Sequence, residues 1–295
     1  MTPVELRRAR PLLGTVVEVT ARGKCPGELT HAISGAFAAV ARVHRLMSFH
    51  DSRSDVGRAN RLAHRTAVRV HPWTWTVLLA AQRLSDSTAG AFDITIAGEL
   101  VHLGYLPSSI PVKADTRACW RDVHLLPGRR VRFVRRLLID LGGIAKGFAV
   151  DQAVDCLRAR GASAGLVNAG GDLRAFGAVT WRIHLRHPAD PGTLIPFACI
   201  ASGALATSAA YFTRRVRRGI AVTPVIDGTR RTATNAAFSA SVLASSCMLA
   251  DGLTKLVMLR GHRAQGLVRH LGGRAFIVSE SAPGLDLSMP RLGMQ

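Results

Sequence analysis

The stretch Ile139-Asp-Leu-Gly-Gly-Ile-Ala-Lys-Gly-Phe-Ala-Val-Asp151, followed closely by Asn168-Ala-Gly-Gly-Asp-Leu-Arg-Ala-Phe-Gly177, carries the most information in this chain. Each half runs an apolar, strand-like stretch into a glycine pair beside an aspartate. Between them, the spacing of Val150, Val154 and Leu157 predicts a helix from near Lys146 to Gly161. Paired glycines let the backbone approach a ligand closely and offer free N–H groups to anionic oxygens. Lys146 adds a positive charge there, and Asp140 and Asp172 are able to hold a metal or a hydroxyl. One reading is a nucleotide or pyrophosphate site. The other is a pair of strand–turn–helix corners whose glycines only make turns, and short glycine motifs alone do not decide between them.

Working outward, residues 12–20 alternate as a strand, and Leu29, Ile33, Phe37, Val40 and Val43 form a helical stripe ending near Met47. Pro72 opens a second helix closed by Gly90. Residues 123–126, 131–134 and 137–141 read as successive strands around a Pro127-Gly128 turn. Further strands are expected at 165–167, 181–185, 221–226, 240–243 and 275–278, with a helix over 247–259. There is no internal repeat, low-complexity segment or clear linker. The motifs span the chain from Gly14 to Lys255, which predicts one α+β domain over 1–295, with mixed and antiparallel sheets, packed helices and a ligand cleft between subregions.

At 48% hydrophobic the chain can bury a sizeable core, and no stretch approaches the roughly 18 consecutive apolar residues of a membrane span. No charged-then-apolar leader is visible, so a cytoplasmic location is expected, or a periplasmic one if the true N-terminus is longer. Cys25, Cys119, Cys156, Cys199 and Cys247 are scattered without zinc-like spacing and read as buried free thiols. The formal charge is +20, and all the basic residues except Lys24, Lys113, Lys146 and Lys255 are arginine. Such a field attracts polyanions. The clusters at Arg7-Arg8, Arg129-Arg130, Arg135-Arg136, Arg214-Arg215, Arg217-Arg218 and Arg230-Arg231 are nevertheless dispersed, and aromatics are only 5%. Specific nucleic-acid recognition is therefore not expected.

The two opening segments resemble the signature blocks of the ApbE family, the FAD:protein FMN transferases, and other blocks follow in the family's order. Leu13-Gly14-Thr15 sits at the first Met-Gly-Thr strand. Met47-Ser-Phe-His-Asp-Ser-Arg-Ser-Asp-Val-Gly-Arg-Ala-Asn60 is similar to the Met-Ser-x-Tyr block, and Gly90-Ala-Phe-Asp-Ile-Thr95 to Gly-Ala-Phe-Asp-x-Thr. Ala206-Thr-Ser208 matches Ala-Thr-Ser, and Ala250-Asp-Gly-Leu-Thr254 resembles the Ala-Asp-Ala-Leu helix.

The resemblance implies an ApbE-like fold and cleavage of the FAD pyrophosphate. A Thr or Ser hydroxyl of an acceptor protein attacks the FMN phosphorus, and AMP leaves. Such a reaction needs cations on the phosphate oxygens. The family's magnesium implies ligands at the Gly143 carbonyl and Asp251. The third family ligand, a threonine, falls on Lys255. Thr254 is then the substitute ligand, or the Lys255 ammonium partly replaces a cation, or Asp251 and Lys255 form a plain surface pair. FAD contacts carry over to Met47, His50 (a family Tyr), Ala91, Phe92, Asp93, Asp140 and Lys146. The glycine-pair reading adds Gly170, Gly171 and Asp172. Phe92 is equally readable as core and Asp93 as a cap.

In Thr223-Pro-Val-Ile-Asp-Gly228 the family histidine, a natural proton acceptor, is Pro224. Asp227 is the nearest substitute base, or else anchors the Gly228 turn. Three functions follow as expectations. The first is FMN transfer to an acceptor protein, with Asp227 and Lys255 as catalytic groups. The second is a magnesium-dependent FAD pyrophosphatase or flavin-binding protein with weak transfer. The third is an arginine-rich module for nucleic acid or acidic protein.

Overall fold

Leu13 and Gly14 both take positive φ, 56° and 71°, and turn the chain back so that β1 (Val4–Leu12) pairs with β2 (Thr15–Gly23). Positive φ at both loop positions supplies the twist that adjacent antiparallel strands need. The single strand expected over 12–20 is thus a hairpin tip plus most of β2. The alternation that marked it belongs to β2, whose Val17, Val19 and Ala21 are fully buried.

The computed structural model describes residues 3–108, 114–190, 192–209, 213–217, 220–279 and 291–292. Its helices are α1 (Pro26–Met47), α2 (Asp55–Leu62), α3 (Pro72–Ser87), α4 (Ala97–His102), α5 (Ala145–Ala159), α6 (Cys247–Arg260) and α7 (Gln265–His270). The strands after the first hairpin are β3 (Val68–Arg69), β4 (Val123–Leu126), β5 (Arg130–Phe133), β6 (Ala164–Ala169), β7 (Asp172–Phe176), β8 (Trp181–Arg186), β9 (Leu194–Ile200) and β10 (Gly203–Ala209). They continue with β11 (Arg215–Arg217), β12 (Ile220–Val222), β13 (Ile226–Asp227), β14 (Thr232–Ala233), β15 (Phe238–Ala244), β16 (Arg274–Ser279) and β17 (Arg291–Leu292). Lys113 and Arg218 of the charge pattern lie outside the described residues.

The chain divides into two compact units. The first comprises the described parts of 1–42, 146–212 and 237–295. Its seven-stranded sheet runs β1-β2-β6-β7-β10-β15-β16, with every neighbouring pair antiparallel. The two-residue period of β10 sends neighbouring side chains to opposite faces. Leu205 joins Leu173, Ile183, Leu185, Phe197 and Ile200 in one core cluster, while Ala206 meets Ala244 and Ala250 of α6 in another. These small side chains let α6 lie close on β10 and β15.

The second unit comprises the described parts of 43–145 and 213–236. It holds the small sheet β3-β5-β4 and the two-stranded pairs β11-β12 and β13-β14. Val77, Leu78, Val131, Phe133 and Leu137 are among its buried side chains.

Three sequence expectations fail in this unit. Leu137, Leu138, Ile139 and Leu141 are buried but residues 137–141 are not a strand, because the Asn60 side chain and the Ile94 carbonyl, rather than a neighbouring strand, take the backbone groups of Ile139 and Asp140. The strand expected over 221–226 breaks into β12 and β13 around Pro224, which has no N–H to give a ladder. Pro72 opens the third helix rather than the second, since the short α2 was not expected.

Candidate functional site

In the first unit the glycine pair of Asn168–Asp172 is a hairpin loop. Gly170 and Gly171 take φ of 63° and 99°, and Ala169 pairs with Asp172 as β6 turns into β7. The Gly171 N–H is not free, because the Asn168 side chain accepts it at 3.0 Å. A Cβ on Gly170 would collide with the Thr15 side chain. The loop therefore carries Asp172 into place and brings the Leu13–Thr15 block against it. Neither glycine-rich half is the strand–turn–helix corner that the sequence pattern offered.

Asp172 is 1% exposed, and the Lys146 ammonium lies 2.8 Å from its Oδ2. Burial, then the charge of Asp251, pushes the Asp172 carboxyl up to about 6 against the pull of Lys146 and Lys255. Burial alone would lower Lys146, but the charges of Asp172 and Asp251 outweigh it and raise its pKa.

The second half of this cluster is set by α6. Asp151 on α5 accepts the N–H groups of Cys247 and Met248, both at 2.9 Å, and Arg174 holds the same carboxylate at 3.0 Å. A carboxylate is favoured where a helix start exposes unpaired donors. Gly147 lets α5 meet α6 backbone to backbone, since a Cβ there would strike the Cys247 carbonyl. Its N–H donates to Asp251 Oδ2 at 3.1 Å.

Asp251 and Thr254 are fully buried, so the Asp251–Lys255 pair is no plain surface pair. The Lys255 ammonium donates to Asp251 Oδ1 at 2.6 Å, Ser208 Oγ at 2.9 Å and Thr254 Oγ1 at 3.0 Å, with the Asp251 carbonyl at 3.3 Å. Thr254 Oγ1 itself donates to the Asp251 carbonyl at 2.7 Å and shares a 2.7 Å hydrogen bond with Ser208.

The second unit holds the remaining expected residues. Met47, Ala91, Phe92 and Asp93 are buried and His50 is exposed. Asp93 Oδ1 accepts the Thr95 N–H at 2.7 Å and Oδ2 the Trp120 N–H at 3.1 Å, so it anchors a turn whatever else it does. The Gly228 N–H donates to the Ala91 carbonyl at 3.1 Å, and a side chain at Gly228 would collide with Gly90 and Asp93. This close approach joins the Thr223–Gly228 block to the Gly90–Thr95 block.

Asp227 is buried. Its Oδ1 accepts the Thr229 N–H at 2.9 Å, the Thr229 hydroxyl at 2.6 Å and the Arg230 N–H at 3.3 Å, which is the turn-anchoring role. Asp140 Oδ2 accepts the Gly142 N–H at 3.0 Å. Burial raises its pKa, and the Gly142 N–H and the charge of His50 oppose the rise. Gly143 follows in the turn that opens α5.

Asn60, Asp151, Gly147 and Ser208 are structurally decisive and received no role from sequence. Each nonetheless stands inside a motif block, which was the available signal. Surface depressions of about 380 Å³ and 140 Å³ contain none of the expected site residues.

The fold is that of an α+β protein whose first unit sets two half-buried lysines, Lys146 and Lys255, against the buried carboxylates of Asp172 and Asp251. Residues 13–277 match the model of the ApbE family, and the chain belongs to that family. It is 33% identical over 235 residues to the FAD:protein FMN transferase of Vibrio cholerae serotype O1, covering 74% of this chain and 70% of the relative. The Treponema pallidum FAD:protein FMN transferase is 25% identical over 299 residues, covering 91% and 83%. Among solved structures, the ApbE protein of Thermotoga maritima superposes with a TM-score of 0.83 at 25% identity, covering 95% of this chain and 96% of that one. The flavin transferase ApbE from Vibrio cholerae gives 0.75 at 25% identity, covering 96% and 100%.

The magnesium that the family resemblance implies does not fit the donors as they stand. Magnesium needs oxygens at about 2.0–2.1 Å in near-octahedral order. Here both Asp251 oxygens are taken, one by Lys255 and one by the Gly147 N–H, and Thr254 Oγ1 faces the same ammonium. Among the described residues no group of three or more His, Cys, Asp or Glu side chains is gathered to hold a metal ion.

Proposed function

We propose that this chain transfers FMN from FAD to a Thr or Ser hydroxyl of an acceptor protein, with release of AMP. The observation that carries the reading is the paired lysine–aspartate cluster, Lys146–Asp172 and Lys255–Asp251, in a chain whose curated relatives bear the name FAD:protein FMN transferase. The acceptor oxygen bonds to the FMN phosphorus, the phosphoanhydride bond breaks, and AMP carries away the electron pair. Charge develops on the phosphate oxygens, and fixed ammonium groups and N–H dipoles are suited to stabilise it. FAD contacts in this reading are Met47, His50, Ala91, Phe92, Asp93, Asp140, Lys146, Gly170, Gly171 and Asp172. No metal on Gly143, Asp251 or Thr254 takes part in this reading. The family match, which runs through both units, supports treating 1–295 as one functional domain.

The hydroxyl proton must go to a base. Asp227 is the candidate, but its Oδ1 is already engaged by the Thr229 N–H and hydroxyl in anchoring the turn. With Pro224 at the histidine position, a second reading is FAD hydrolysis to FMN and AMP with slow transfer.

Incubation with FAD and a Thr-containing acceptor peptide separates these readings. AMP with flavinylated peptide supports transfer, and AMP with free FMN supports hydrolysis. Neither product, together with salt-sensitive DNA binding, would favour the arginine-rich module instead.

A further inference from the structure

The position of the Lys255 ammonium is that of a bound cation. Its three N–H donors meet three oxygens, Asp251 Oδ1, Ser208 Oγ and Thr254 Oγ1, at 2.6–3.0 Å, and a fourth oxygen, the Asp251 carbonyl, stands at 3.3 Å. The cage comes from β10 and one turn of α6, and its carboxylate is 1% exposed while Lys255 is 20% exposed. With its three N–H donors committed inside the cage, the half-buried Lys255 can act on a ligand through its charge rather than through a direct hydrogen bond.

The neighbouring Lys146–Asp172 pair makes the cluster two lysines and two carboxylates, which is neutral when all four are ionised. A divalent ion entering here would have to displace the ammonium from every oxygen it holds and leave it beside a double positive charge. Lysine is a compact point charge and binds phosphate as one.

We infer that Lys255 is a tethered cation that fills the site where the family pattern puts a metal ligand, so that this chain needs no divalent ion at Asp251. Its fixed charge supplies the positive potential that a phosphoanhydride ligand requires. The consequence for FAD rests on the flavin reading above, whereas the consequence for metal binding does not.

Two measurements keep these separate. Titration of the metal-stripped protein with magnesium chloride, followed by calorimetry and thermal unfolding, should show no stoichiometric binding and no rise in Tm up to millimolar concentrations. One-to-one binding that is lost in Asp251→Asn would overturn the proposal, whatever happens with FAD. FAD affinity, read by flavin fluorescence, should be the same in EDTA and in magnesium for the unaltered protein. Lys255→Thr should lose about tenfold or more in EDTA and recover with magnesium, a rescue that a merely structural lysine would not give. If Lys255→Thr does not fold, Lys255→Met should weaken FAD binding equally with and without the metal, and unchanged affinity in that variant overturns the role. Failure of the unaltered protein to bind FAD under either condition would end the flavin reading and leave the magnesium titration to decide the cage.

Discussion

The side-chain amide of Asn60 holds the backbone of Ile139 at two points, donating to its carbonyl at 2.9 Å and accepting its N–H at 2.8 Å. Asn60 is fully buried, so truncation leaves two polar groups without partners or water. Each such loss costs about 1–3 kcal/mol. Asn60→Ala should therefore lower unfolding stability by about 2–5 kcal/mol, measured by urea denaturation. An unchanged midpoint would show that residues 137–141 find other partners.

Asp151 should matter through α6 rather than through any ligand. Asp151→Ala removes the acceptor for two helix-start N–H groups and leaves Arg174 without it. A loss of about 2–4 kcal/mol is expected from the cap and the broken buried pair together. Asp151→Asn keeps one acceptor oxygen and should lose less. Equal unfolding midpoints for the two variants would contradict the capping role.

Lys146→Ala should weaken FAD binding about tenfold or more. It should also cost stability at neutral pH, because Asp172 is left buried without its ammonium partner. Equilibrium binding and thermal unfolding on the same preparation test both halves. Full affinity with reduced stability would make Lys146 purely structural.

Asp93 provides a pH test. Burial raises its carboxyl above the ordinary 3.8, against the N–H groups of Thr95 and Trp120 and the charge of Arg231. The folded state thus holds the proton to higher pH than the unfolded state. The group contributes stability at and below 3.8, and that contribution is lost as pH rises through the raised value. Asp93→Asn should flatten this part of the stability–pH curve. A curve parallel to that of the unaltered protein would exclude Asp93 as its source.

Pro224→His should accelerate flavin transfer more than it alters FAD affinity. A positioned general base is worth on the order of 10²–10⁴ in rate, and the residue lies in the block held against Ala91. Single-turnover transfer at saturating FAD, followed across pH, gives the answer. Identical rates at every pH would move the search for the base elsewhere.

Long elements with clear periodicity were legible in the sequence. The stripe of Leu29, Ile33, Phe37, Val40 and Val43 became the buried face of α1, and the Cys247 helix was placed to within a residue. Elements whose partners lie far along the chain were not legible. The apolar run at 137–141 looked like a strand because burial on all sides has the same composition, and only the Asn60 contact distinguishes them. The Gly170-Gly171 pair is a hairpin signal that β6 and β7 realise, and a glycine pair beside an aspartate has the same composition as a phosphate-binding turn. The motif blocks single out Asp251 and Lys255. That their side chains engage one another, with Ser208 from β10, emerges only when β10 and α6 are packed.

Gly147 gives this arrangement a mechanical character. Where α5 and α6 meet without an intervening side chain, no rotamer change can let one helix slip past the other. Lys146, one residue before the contact, and Asp251, hydrogen-bonded to the Gly147 amide, therefore ride on a shared rigid frame. The charges are oriented when the protein folds rather than when a ligand arrives. In the flavin reading proposed above, a phosphate would meet a field whose reorganisation has already been completed, and a methyl group at position 147, which would strike the Cys247 carbonyl, should disturb it.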